Sequence, residues 1–150
     1  MKNKVVIITG GSSGIGKACA FAFGKAGAKI VITGRDANKL EEVSDDLTKQ
    51  GIDNLTLIAD VSNESNNEIL VEQTIQRFGK LDILINNAGI SMRALFEDLD
   101  MKVFKKVMDI NFYGTVYATK ACLPYILESK GSIVGISSIN GYRGTPARTA

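Results

Sequence analysis

A doubly wound α/β domain on a parallel sheet is the fold this sequence predicts, on three observations. Short apolar runs alternate with helical patterns along all 150 residues. The first run, Val5-Val6-Ile7-Ile8, opens straight into a glycine-rich turn, Thr9–Gly16, and then into a helical pattern. Polar residues collect at the carboxyl ends of the runs. Strands separated by helices imply parallel pairing, right-handed crossovers and helices on both faces.

The elements follow in order. Lys4–Thr9 reads as the first strand. Ile15, Ala18, Cys19, Ala22, Phe23 and Ala26 then recur at helical spacing, and Gly27 suits the helix stop. Lys29–Thr33 is a second strand, and Asn38–Gln50 an amphipathic helix with Leu40, Val43 and Leu47 inward, stopped at Gly51. Asn54–Ala59 is a third strand, Glu64–Phe78 a helix stopped at Gly79, and Ile83–Asn86 a short buried strand. A polar loop leads to Asp100, a helix cap for one long helix to about Glu128, with Pro124 bending it. Ser132–Ile136 is the fifth strand, and Ser137–Ala150 reads as loop.

The long helix is too apolar for one stripe. Val103, Phe104, Val107, Met108, Ile110, Phe112, Val116, Tyr117, Ala121 and Ile126 point to more than one side. A helix of that kind is buried on more than one side. One side covers the sheet, and the other needs later chain or a partner subunit.

Composition narrows the function. The length suits a single domain, 1–150. A net charge of +2 without a long basic run argues against nucleic acid or an anionic membrane as partner. No apolar run reaches the ~20 residues of a membrane span, and the N-terminus reads as a strand. The two cysteines, Cys19 and Cys122, lie in helical patterns and read as reduced core residues of a cytoplasmic protein. Histidine is absent, which removes histidine triads and most catalytic zinc sites, and no metal site is expected.

Five strand ends meet on one rim: Gly10–Gly16, Gly34–Asp36, Asp60-Val61, Asn86–Gly89 and Ser137-Ser138. Ligands of open parallel sheets bind there. A glycine turn before a helix is a phosphate cradle, because glycine lets the backbone approach and the helix start favours anions. The chain is therefore expected to bind a nucleotide. From Gly11 the turn reads Gly-x4-Gly16-Lys17, a P-loop up to its last position, with Asp60 as the further acid; Ala18 then stands where magnesium needs a hydroxyl.

Read from Thr9, the turn is Thr-Gly-x3-Gly-x-Gly, followed in order by Asp60-Val61, Asn86-Asn87-Ala88-Gly89, Asn111 and Gly131–Val134 leading to Ser137-Ser138. This ordered set resembles the classical short-chain dehydrogenase/reductase family. The resemblance implies a Rossmann-like sheet of five strands in order 3-2-1-4-5, with further C-terminal strands missing here. It puts the cofactor against Gly10, Ser12, Ser13, Gly14, Ile15 and Gly16 of the turn, and against Val61, Ala88 and Gly89. Asp60 would accept from the adenine amino group, or else cap the following helix. Asn86 and Asn87 would brace the glycine turn and line the site. Asn111 would hold a water of a proton relay; its apolar neighbours point it inward, and a helix-bend amide bonded to local backbone is the plain alternative. Ser138 matches the catalytic serine, although a lone serine also suits a turn.

Arg35 follows the second strand, where the adenosine ribose lies. An acid there would bond a free 2′-hydroxyl, whereas an arginine suits a 2′-phosphate. Gly34 stands where NAD-preferring members carry the acid. Asp36 has the spacing of that acid but reads as a cap of the next helix. NADP rather than NAD is expected.

The family's Tyr-x3-Lys pair, about a dozen residues past the serine, has no counterpart; Tyr125 and Tyr142 do not match it. The chain is therefore expected to be the N-terminal part of a longer, homo-oligomeric enzyme, inactive alone. Its substrate would be a small carbonyl or alcohol compound, with Ser91–Leu99 and Asn140–Thr149 in the pocket wall and Met92, Leu95 and Phe96 as an apolar lining. A non-catalytic nucleotide-binding module, or a fragment that binds nothing stably, are the rival readings.

Overall fold

The computed structural model of the chain describes residues 1–147. Its centre is a parallel sheet of β1 (Val5–Thr9), β2 (Lys29–Gly34), β3 (Asn54–Ile58), β4 (Ile83–Asn86) and β5 (Ser132–Gly135). Their order across the sheet is β3-β2-β1-β4-β5, the expected one. Val5 pairs with Lys29, Val6 with Ile83, Ile30 with Asn54, and Leu84 with Ile133.

Successive side chains of a strand point to opposite faces, so each apolar run supplies two layers. Val6, Ile8, Ile30, Ile32, Ile83 and Ile85 face α1 (Gly14–Lys25) and α2 (Ala37–Lys49), where Leu40, Val43 and Leu47 meet them. Val5, Ile7, Val31 and Leu84 face α3 (Glu64–Phe78) and the long helical rod, which contributes Ala118, Cys122 and Ile126. Cys122 is fully buried in this second layer, and burial pushes its thiol pKa up to about 12. Cys19 packs on the first layer, so the sheet separates the two thiols.

Three local readings need correction. In α1 the apolar line from Ile15 to Ala26 brings only Cys19 and Phe23, both partly buried, to the first layer, and none of its residues is fully buried. Gly16, Ala20 and Gly24 are buried instead, while Ile15 is 59% exposed. The small residues win because close approach matters more here than side-chain hydrophobicity: a Cβ on Gly24 would sit 2.6 Å from Ile52 Cγ2.

The long helix is also not one α-helix. It comprises α4 (Met101–Met108), a π-helical segment Asp109–Tyr113, and α5 (Gly114–Glu128), with Asp100 as its N-cap. Pro124 lies within α5, which continues to Glu128. The outer side of the rod remains open, as its composition implied: Phe112, Val116, Leu123 and Leu127 are exposed.

The third correction is that residues 137–147 are not all loop, since Ile139–Gly141 makes a single 3-10 turn. No helix among the described residues is long and apolar enough to cross a membrane.

Candidate cofactor and catalytic cleft

The glycine turn leaves β1 and folds over the rim. Gly10 and Gly14 take left-handed φ angles of 66° and 53°. A Cβ on Gly10 would lie 2.9 Å from Ala88 Cα, so the turn needs glycine on both grounds. Gly16 is buried behind it, where a Cβ would come within 2.5 Å of Asn87 Nδ2.

Thr9 and Asn87 lock the turn to the end of β4. The Asn87 side-chain amide donates to the carbonyls of Thr9 (2.9 Å) and Gly10 (3.1 Å). In return Thr9 Oγ1 accepts the backbone N–H groups of Asn87 and Ala88, each at 3.0 Å. Asn86 does not share this role. Its amide donates to Thr119 Oγ1 of α5 at 3.0 Å, and its buried Oδ1 has no hydrogen-bond partner among the described residues. The alternation of β4 explains the difference, because neighbouring residues leave a strand toward opposite faces.

A cleft of about 340 Å³ opens at this rim. Gly10, Ser12, Ser13, Gly14, Ile15, Arg35, Asp60, Val61, Asn87, Ala88 and Gly89 all line it, with Gly16 in support behind. Sequence reasoning missed Ala59, Ile90 and Ile110 as lining residues. Ala59 could have been read from its place at the third strand end; Ile110 only from knowing how the long helix lies.

Asp36 accepts from the Lys39 N–H and caps α2, as expected, which leaves Arg35 as the charged group of that strand end facing the cleft. Asn63, not Asp60, caps α3. Asp60 Oδ1 instead accepts from the Ser62 N–H (3.0 Å) and hydroxyl (2.7 Å). Burial works to raise the Asp60 pKa. The two Ser62 hydrogen bonds and the charges of Arg35 and Lys106 outweigh it and hold the carboxyl below its usual range.

A second cavity, about 560 Å³, adjoins the first through Asn87, Ala88, Gly89 and Ile90, and it holds both Asn111 and Ser138. Asn111 is exposed to this cavity rather than turned inward. Its Oδ1 accepts from the Ile90 N–H at 2.9 Å and its Nδ2 donates to the Ile90 carbonyl at 2.8 Å. The amide thus serves a loop 21 residues away, not local backbone. Ser138 Oγ accepts from the Asn140 N–H at 3.2 Å, which leaves its own proton free to donate. The two wall segments also meet, the Ala94 N–H donating to the Ala147 carbonyl at 3.0 Å. Arg148 and Thr149 of the expected wall lie outside the described residues.

The helix starts differ in a way that matters for an anion. Asp36, Asn63 and Asp100 cap α2, α3 and α4 with their side chains. At α1 the cap residue Ser13 makes no such bond, so the first N–H groups of that helix face the cleft uncapped.

Comparison with known proteins agrees with this geometry. The sequence model of the family described as "short chain dehydrogenase" matches residues 4–150. The chain is 43% identical over 145 residues to 11-beta-hydroxysteroid dehydrogenase 1A of Arabidopsis thaliana, covering 95% of this chain and 42% of that protein. It is 43% identical over 155 residues to dehydrogenase/reductase SDR family member 7B of Mus musculus, covering 100% of this chain and 48% of that protein. With 11-beta-hydroxysteroid dehydrogenase A of Sesamum indicum the identity is 41% over 145 residues, 95% of this chain and 42% of that protein. The chain thus spans less than half the length of these curated relatives. On the family match, the sheet order and the braced glycine turn together, this chain belongs to the short-chain dehydrogenase family.

Proposed function

We propose that the protein containing this chain is an NADP-dependent oxidoreductase acting on a carbonyl or alcohol carbon. The observation that carries the reading is the adjacency of two cavities: one lined by the glycine turn and Arg35, the other by Ser138 and Asn111, with Asn87–Ile90 shared. The uncapped α1 start and the left-handed glycines fit a dinucleotide diphosphate. Arg35 suits a 2′-phosphate, and Gly34 offers no acid to repel it. A reducing, cytoplasmic setting suits two thiols held on opposite layers.

When bound, the dinucleotide supplies or accepts the hydride. Ser138 donates its free proton to the substrate oxygen, where negative charge grows during carbonyl reduction. Asn111 spends its side-chain amide on Ile90, and its main-chain carbonyl accepts from the Thr115 hydroxyl at 3.0 Å, so a relay water held there would share that carbonyl with Thr115. The acid–base tyrosine and its lysine, implied by resemblance, have no match among these residues; we infer that residues 1–150 alone do not turn over. Ile90 and Ile136 in the second cavity favour an apolar skeleton around the reacting carbon, in line with relatives named for hydroxysteroids.

The test is NADPH oxidation by the full-length protein against a panel of apolar ketones and aldehydes. Turnover that drops about 100-fold or more in Ser138→Ala is the expected result, the scale for removing one such donor. Cofactor binding with no turnover on any member of the panel would favour a nucleotide-binding module instead.

A further inference from the structure

Asn140-Gly141 is the single Asn-Gly step of the chain. It lies in the 3-10 turn Ile139–Gly141, directly after Ser138, and both residues are exposed. Such a step can react with itself. The backbone nitrogen of the second residue attacks the side-chain amide carbon of the first, and glycine has no Cβ to block the approach. Three contacts bear on that reaction here. The Thr145 hydroxyl donates to Asn140 Oδ1 at 2.7 Å. It draws electron density from the amide carbon and already faces the oxygen that turns negative during attack. The Gly141 N–H donates to the Ser138 carbonyl at 3.0 Å, so the nucleophile is held back until the turn opens. A lone 3-10 turn has poorer hydrogen-bond geometry than an α-helix, and Ile139 and Tyr142 beside it are 65% and 85% exposed, so little packing opposes the opening. Finally, the Asn140 N–H donates to Ser138 Oγ at 3.2 Å, which couples this turn to the serine of the second cavity.

We propose that Asn140 is a modification site, deamidating spontaneously through a cyclic imide and disabling the neighbouring Ser138 as it does so. The Gly141 nitrogen forms a bond to Asn140 Cγ and gives up its proton. The Cγ–Nδ2 bond breaks, and ammonia leaves with that proton. Water then opens the imide at either carbonyl, giving aspartate or, where the backbone is rerouted through the side chain, isoaspartate. Water is the only co-reactant, and nothing is oxidised or reduced. Both products set a carboxylate two residues from Ser138, where it opposes negative charge on a substrate oxygen. Isoaspartate also adds a methylene to the backbone and so draws the Asn140 N–H away from Ser138 Oγ. The site stands on the geometry of the turn alone, whereas its effect on turnover rests on the role proposed for Ser138.

The full-length protein is kept warm at mildly alkaline pH and sampled over days by peptide mass spectrometry with isoaspartate methyltransferase labelling, alongside NADPH oxidation. Wild type should convert at Asn140 ahead of every other asparagine, with turnover falling in step with the converted fraction. Gly141→Ala, whose methyl would meet only Ser137 Oγ at 3.2 Å, should slow conversion several-fold or more. Thr145→Val should slow it a few-fold, well under the ~100-fold of an enclosed oxyanion donor, because this loop is open to water. Asn140 intact in wild type, or converting as fast in Gly141→Ala, overturns the site. Full conversion with turnover unchanged, while Ser138→Ala still abolishes it, overturns the effect on the serine. A fresh protein with no turnover fails the oxidoreductase reading, and the mass spectra still decide the site.

Discussion

Asp82 is a buried carboxylate held between two lysines. Its carboxylate is almost fully buried at the start of β4. It accepts from Lys4 Nζ at 2.6 Å, from the Val5 N–H at 2.9 Å, and pairs with Lys80 at 3.0 Å. Burial works to raise its pKa; the bonds from Lys4, Val5 and Lys80 win and lower it. The folded value therefore lies below the ordinary 3.8. The stabilisation is complete above that value and is lost as pH falls through the lower folded one. Asp82→Asn should cost about 2 kcal/mol at neutral pH, less than a fully buried pair because both lysines remain half in water. Denaturant melts at pH 7 and pH 3 check this: the gap between variant and wild type should narrow at the lower pH. A gap that stays constant would show that the carboxylate charge is not what holds β1 to β4.

Strands were easier to read than helix faces. Apolar runs between glycines and asparagines leave little choice of period, and all five strands fall within one residue of the expected spans. The seating of α1 was hidden, because Gly16 and Gly24 carry no side chain and the methyl of Ala20 does not stand out among the alanines of the same helix. The π segment was hidden for another reason: Asn111 answers to Ile90, a contact no local pattern encodes. Such segments recur where a helix must re-aim a residue. The seat of the rod on Val61 is equally invisible in sequence, and it yields a prediction. Gly114→Ala should lose about 1–3 kcal/mol, the usual cost of overpacking, because the new methyl meets Val61. It should also weaken nucleotide binding by displacing Val61 and Ile110 from the cleft wall. Thermal melts with and without NADPH would read both effects. Lost stability with unchanged affinity would separate the seat from the site.

Across the whole molecule, the two edges of the sheet end differently. Four of the five residues of the edge strand β3 are half-buried, whereas all four residues of β5 are exposed at the other edge. Ile133, Val134 and Ile136 are each about 40% exposed there, and the outer side of the rod adds Phe112, Val116 and Leu127. An open edge with apolar side chains invites pairing with another chain. Residues 1–150 expressed alone should therefore self-associate and melt below the full-length protein. Light scattering over a concentration series checks this. A fragment that stays monomeric and melts as high as the full-length protein would mean that the edge and the rod need no cover.

The converging strand ends were legible in the sequence because each is punctuated by residues that neither strand nor helix favours. What they hold was not, beyond the resemblance, since the NADP reading proposed above rests on one side chain, Arg35, and on the absence of another at Gly34. We propose that this rim binds a dinucleotide phosphorylated on its ribose. Titration calorimetry of the full-length protein with NADPH and NADH, before and after Arg35→Ala, tests it most directly. A charged hydrogen bond to phosphate is worth about 1.5–3 kcal/mol, so Arg35→Ala should weaken NADPH by roughly 10- to 150-fold and leave NADH nearly unchanged. Equal losses for the two cofactors, or a wild type that prefers NADH, would contradict it.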